Sequence, residues 1–360
     1  MRTRILVGEG RFQPDPDWYR EQRQPCPEFV FLAHTMQGSI ASFTTAAAQR
    51  GRWFRYLFRH WPLLGSAIGA VLDSNRFEIL YCVSEDLGMF AAPLLRLRRW
   101  RGQLITVVHG IGANKRLWFR IFGHKGMAAL ITNSEPQVQT LIRECGIPAE
   151  KVHYFPYWLD TDFFTPSPPS EVHNGRFVFA CGRENRDYAT LLAAARQLDV
   201  PFTILAHGYF GDHVNGSDDV PSNVAFRPRV PYSELISLYR AAQLIVVPLN
   251  DVSYAAGLTG MLEAMASGKC VVVTKSHGLR SYLDARNPGA IVPPRDPGAM
   301  ARAVADLLQS PERMREIGAR NREWVERHAA LPVYAQHVAN VVKTFPVIRK
   351  GADPVVSEVV

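Results

Sequence analysis

No stretch of about 18 uninterrupted apolar residues occurs in the 360-residue chain, so nothing in it is long enough to span a bilayer as a helix. Cysteine is scarce and scattered. The five residues Cys26, Cys82, Cys145, Cys181 and Cys270 show no paired spacing, which argues against a zinc site or a disulfide framework and for a reducing compartment. The opening segment offers only the short apolar run Ile5 to Val7, too little for a secretory signal, and the cytoplasm is the expected location. Internal repeats, low-complexity tracts and the patterns of nucleic-acid recognition modules are also missing, so no nucleic-acid partner is expected.

What is present is the composition of a soluble globular protein, long enough for two domains of ordinary size. The net charge of +8 is uneven, with residues 1–165 carrying +6 of it. A basic first half suits an anionic membrane surface or an acidic substrate, although solubility alone also accounts for it.

Strand-like and helix-like runs alternate along the whole chain, the pattern of an α/β protein with parallel sheets. Ile5–Val7 opens a first strand and runs into Gly8-Glu9-Gly10, where backbone can approach a ligand closely. Residues 11–28 read as a loop and Glu28–Ala33 as a second strand ending in His34. Phe77–Val83 leads to Ser84-Glu85-Asp86, which can cap the helix Leu87–Leu95 or sit at a ligand-facing strand end. Leu104–Val108 ends in His109-Gly110. Ala128–Thr132 passes through Asn133-Ser134 into a helix Pro136–Cys145. The Pro- and Ser-rich segment Thr165–Gly175 is the clearest linker. Beyond it come strands at Arg176–Ala180, Phe202–Ala206, Asn223–Phe226, Gln243–Leu249, Cys270–Thr274 and Gly289–Pro293, then helices from about Pro297 to Phe345. Two doubly wound domains follow, at 1–165 and 176–330, joined by residues 165–175.

The chemistry is concentrated in Asp251–Thr274. A buried strand ending near Leu249 is followed by Gly257, Leu258, Thr259 and Gly260 at the start of a helix that stops at Ser267-Gly268. The unpaired amides and positive dipole end of such a helix form an anion site, and Glu263, about one turn deeper, can accept hydrogen bonds from a sugar diol. After the Arg176–Ala180 strand, Arg183 and Arg186 place cations near another helix start, where they oppose the dipole unless an anion joins them. The pairs Asp15/Asp17 and Asp160/Asp162 imitate cation ligands, but neither follows a long buried strand, and no metal site is expected.

Gln49–Pro62 fits an amphipathic helix. Trp53, Phe54, Leu57, Phe58 and Trp61 fall within about 140° of arc, with Arg52, Arg55 and Arg59 opposite. This face, around residues 50–61, either lies on an anionic lipid surface or covers the domain core; the basic cluster Arg96, Arg98, Arg99 and Arg101 beside Trp100 favours the lipid reading.

The run Gly257-Leu-Thr-Gly-Met-Leu-Glu-Ala-Met-Ala-Ser-Gly-Lys-Cys-Val-Val resembles the donor-binding segment of GT-B fold glycosyltransferases, especially retaining family four. The turn Cys181-Gly-Arg-Glu-Asn-Arg and the strand-ending His109 resemble the same family. The resemblance implies two Rossmann-like domains facing across a cleft, with a C-terminal helix (about 331–360) crossing back onto the first. It implies a nucleotide sugar, UDP- or GDP-linked, held by the second domain and no other cofactor. Glu263 would hold the ribose, the amides of Gly257–Gly260 the diphosphate, Arg183 and Arg186 the leaving-group charge, and Arg229 and Val230 the base. His109 would face the transferred sugar, while Gly8 and Gly10 match the family's glycine pair. The acceptor would bind the first domain; it is expected to be a small metabolite or, on the strength of the Trp53–Trp61 helix, a lipid-linked group. The family's usual first glutamate, eight positions before Glu263, is Ala255 here. If transfer retains configuration, the leaving phosphate can receive the acceptor proton; if it inverts, Asp86, Glu85, His34 or His109 must supply a base. A nucleotide-sugar 2-epimerase and a non-catalytic binder are the alternatives on this fold.

Overall fold

The computed structural model describes residues 2–8, 12–42, 52–122, 124–168, 175–206, 220–285 and 288–345. Gly10 lies outside them. Two six-stranded parallel sheets organise the molecule. The first contains β1 (Thr3–Leu6), β2 (Ser39–Ala41), β3 (Ile79–Cys82), β4 (Gln103–Val108), β5 (Ala129–Thr132) and β6 (Val152–Tyr154) in the order β2-β1-β3-β4-β5-β6. The second contains β7 (Val178–Cys181), β8 (Phe202–Leu205), β9 (Val224–Arg227), β10 (Leu244–Val247), β11 (Val271–Thr274) and β12 (Gly289–Val292) in the order β12-β11-β10-β7-β8-β9. Strands such as Leu244–Val247 and Val271–Thr274 are buried along their whole length, as expected where helices cover both faces of a sheet. In the second sheet the strand order reverses between β7 and β10, the position where open α/β sheets bind ligands.

Each sheet has an apolar core on either face. One face of the second sheet packs Val247, Leu258, Leu262 and Trp324, and the other packs Leu191, Val246, Val304 and Ile317. The final helix, Leu331–Thr344, leaves the second sheet and buries Tyr334, Ala335 and Val338 against Ile5, Val7 and Ile79 of the first. The two chain crossings are paired: Leu159 N–H donates to the Ala329 carbonyl at 2.7 Å, and Leu331 N–H to the Leu159 carbonyl at 3.1 Å.

Three sequence expectations need correction. Glu28–Ala33 is a helix, Glu28–Thr35, which buries Val30, Leu32 and Ala33. A short apolar run with no clear alternation fits either period, and packing decides. His34 therefore falls in the last turn of this helix, exposed, rather than at a strand end. Residues 11–28 are not all loop, because Pro16–Glu21 is helical with Asp15 capping it through Asp17 N–H. The helix after Ser134 changes pitch, α-helical over Glu135–Gln139 and π-helical over Thr140–Glu144.

Candidate active site

A cleft of about 910 Å³ is lined by His109, Gly110 and Asn133 from the first sheet's strand ends, Tyr157 from the crossing, and Arg183, Glu184, Arg186, Tyr254–Gly257 and Thr259 from the second. Thr259 thus joins Arg183, Arg186 and His109 in one space. Tyr282 ties the two halves below it: its hydroxyl donates to the Asn133 carbonyl at 3.0 Å and accepts from Tyr157 N–H at 2.8 Å.

The helix Leu258–Ala266 begins at Gly257, which has φ +81° and provides no side-chain cap. A side chain there would strike Leu249 and crowd the Arg186 guanidinium at 3.3 Å, so glycine is required on both conformational and steric grounds. Arg186 lies over this uncapped turn. Its Nε donates to the Cys181 carbonyl at 3.1 Å and Nη1 to the Glu184 carbonyl at 2.9 Å. Those two bonds fix the guanidinium plane and use only two of its N–H groups. Gly182, at φ +125°, leaves room for this side chain to fold back over its own turn. Arg183 is exposed on the same turn.

Glu263 sits one turn into the helix, half-buried. Burial pushes its carboxyl up to about 7, although Tyr239 and Arg186 partly oppose the shift. The Tyr239 hydroxyl donates to Glu263 Oε2 at 2.9 Å, and the Cys181 thiol lies 2.9 Å from the same hydroxyl. Burial raises the Cys181 thiol to about 12, so it remains protonated and serves as the donor to Tyr239. Tyr157, hydrogen-bonded to Thr259, is close enough to Glu263 to feel its charge. Leu258 and Gly260 are buried, so any contact they make with a ligand is through backbone.

On the first domain His109 is exposed at the end of β4, with Nε2 donating to the Val83 carbonyl at 3.0 Å. That bond fixes the tautomer and leaves Nδ1 as the acceptor. Its backbone N–H donates to Glu85 at 3.0 Å. Asp86 is not among the cleft-lining residues: Lys115 takes it at 3.0 Å and Glu85 at 2.7 Å. Burial raises the Glu85 carboxyl, but Lys115 and the His109 amide outweigh it and the net shift is downward. Gly8 follows β1 with open space over its Cα, outside the cleft lining. Arg229 is exposed and Val230 packs partly on the second core, next to the helix Tyr232–Ala241 that carries Tyr239. Neither lines the cleft. The Asp160 carboxylate caps its own turn, accepting from Cys26, Asp162 and Phe163 amides at 2.7, 3.1 and 3.1 Å. Among the described residues no group of three or more His, Cys, Asp or Glu comes together as a metal site.

Tyr157, Tyr239, Tyr254, Glu184 and Glu28 are the residues that sequence reasoning missed. Glu28 starts the misassigned helix; its carboxyl, raised by burial, accepts from Trp158, whose ring lies 6.4 Å from that of His109.

The chain matches the family model for glycosyltransferase family 4 over residues 27–163 and that for glycosyl transferases group 1 over residues 217–324. Neither match includes residues 183–186. Two relatives named D-inositol 3-phosphate glycosyltransferase are 24% identical over 77% of this chain and 75% of the Thermobispora bispora protein, and 26% identical over 84% and 78% of the Xylanimonas cellulosilytica protein. The Anabaena protein HepE, solved with UDP, superposes with a TM-score of 0.72 at 14% identity, covering 96% of this chain and all of that one. A sucrose-phosphate synthase from Thermosynechococcus elongatus gives 0.67 at 16% identity, over 95% and 98% of the two chains. Two facing parallel sheets, a cleft at the strand reversal and these matches define a GT-B fold. The chain is a glycosyltransferase of this class, with a family-four first half and a group-1 second half.

Proposed function

We propose that the protein moves a sugar from a UDP- or GDP-sugar held on the second sheet to an acceptor held on the first, without a divalent metal. The observation that carries this is the guanidinium of Arg186 over the uncapped first turn of the Leu258 helix, with Glu263 one turn inside. Cation and dipole end repel one another until an anion sits between them, and a diphosphate fits there with its ribose diol on Glu263. The same groups stabilise charge on the departing diphosphate, the role a metal fills elsewhere. HepE was solved with UDP and with UDP-glucose, which favours the uridine arm.

With Asp86 and Glu85 engaged by Lys115, His109 Nδ1 is the one cleft base left from the sequence candidates. Retention of configuration, with the acceptor proton passing to the leaving phosphate, requires no protein base and fits this cleft best. The relatives' name directs attention to acceptors bearing phosphate, which suits a first half of charge +6. We place that acceptor at an anionic membrane surface. Leu97 is 83% exposed and Ile121 65%, with Leu117 and Phe122 beside them, and Arg96, Arg99 and Lys125 rim the groove between the two helices concerned. On the helix Arg52–His60 and the residue after it, Leu57 is buried while Tyr56 and Trp61 are exposed; the side chains of residues 53–55 and 58 lie outside the described set. Binding of UDP or GDP in the presence of a chelator tests the donor site, and its absence would remove the reading.

A further inference from the structure

Resting on the donor site above, we propose that Glu184 is the carboxylate that holds hydroxyls of the transferred sugar and sets donor specificity. Among the described residues lining the cleft it is the only carboxylate, and it shares that lining with Arg183, Arg186 and Ala255. Sugar hydroxyls are hydrogen-bond donors, and the arginines beside Glu184 cannot accept. Glu263, assigned to the ribose above, lies one turn deeper than the cleft lining and already accepts from Tyr239, so it is not the group that meets the transferred sugar.

Glu184 is held from several directions. The Tyr254 hydroxyl donates to its Oε1 at 2.5 Å, leaving Oε2 without a protein donor among the described residues. The Asn185 side-chain amide donates to the Tyr254 oxygen. Arg186 Nη1 grips the Glu184 carbonyl at 2.9 Å. The turn that carries it is zipped to the loop after β10, through Asn250 N–H to the Asn185 carbonyl at 3.0 Å and Asp187 N–H to the Pro248 carbonyl at 3.2 Å. Gly182 at φ +125° and Asn185 at φ +50° give the turn its shape. Burial, then the Glu184 bond, pushes the Tyr254 hydroxyl up to about 12, so it stays a donor over any working pH. We assign the carboxylate to a diol of the donor sugar, in a lining to which Ala255 adds no polar group.

The test is calorimetry of the wild type, Glu184→Ala, Glu184→Gln and Tyr254→Phe with UDP, GDP, UDP-glucose, UDP-galactose, UDP-N-acetylglucosamine and GDP-mannose. Glu184→Ala is expected to weaken the preferred nucleotide sugar about tenfold or more while the matching nucleoside diphosphate stays within about twofold, the loss of a hydrogen bond to a charged group. Tyr254→Phe is expected to give a smaller loss of the same kind. Equal losses for sugar-bearing and sugar-free nucleotides, or no loss for either, overturn the inference and leave the donor site standing. If the wild type binds none of the six, the donor site itself is wrong and this inference falls with it.

Discussion

Glu263 is the residue where the account is most exposed to measurement. Its carboxyl is pushed up to about 7, with burial as the main cause. A carboxyl raised in the folded state binds more protons there than in the unfolded chain between the ordinary carboxylate range and about pH 7. Stability is therefore fully present at low pH and lost as pH rises through 7. Glu263→Gln should match the wild-type melting temperature near pH 5 and exceed it by about 1–2 °C near pH 8.5, roughly 1 kcal/mol at this chain size. A constant gap across that range would contradict the titration. The helix start at Gly257 was legible in the sequence from local rules, whereas the part given to Glu263 rested on the family resemblance. Glu184 and Tyr254 were not legible, since their pairing joins two loops 70 positions apart and neither residue is unusual alone.

At the scale of elements, the loop between β10 and the Leu258 helix is set by what lies beneath it. Gly278 N–H donates to the Val252 carbonyl at 2.8 Å, and His277 N–H to Asp251 at 2.7 Å. A side chain on Gly278 would collide with the Tyr254 backbone. Gly278→Ala should therefore lower the melting temperature by about 1–4 °C, the cost of overpacking, and displace Tyr254 from Glu184. Gly112→Ala, where the added carbon meets nothing within 4 Å, is the control expected to change little. An unshifted melting curve for Gly278→Ala would mean the loop is free to move. Strands were easily read here because parallel strands are apolar throughout. The helix Glu28–Thr35 was misread for the same reason: its run Phe29 to Ala33 is as apolar as a strand, and only packing against β1 and the final helix distinguishes the two.

At the scale of the whole molecule, the paired crossings at Leu159 and Leu331 and the Tyr282 bridge hold two sheets around one cleft. In the reading proposed above, the exposed apolar face of the first domain is where an anionic membrane surface would sit. Purified protein should sediment with phosphatidylcholine–phosphatidylglycerol vesicles at low salt, and Leu97→Ser with Ile121→Ser should weaken this about tenfold through lost apolar burial. Failure to bind, or binding indifferent to both changes, would place the acceptor in solution.

The central claim is the donor site at the Leu258 helix. Its most direct measurement is the melting temperature of the wild type with UDP, GDP and their common sugars, in magnesium and again in EDTA. Stabilisation by one nucleotide family, at about 2.7 kcal/mol for ligand at a hundred times its Kd, should appear equally with and without the metal. A cooperatively folded sample that shifts with none of them, or only when magnesium is present, would contradict the account.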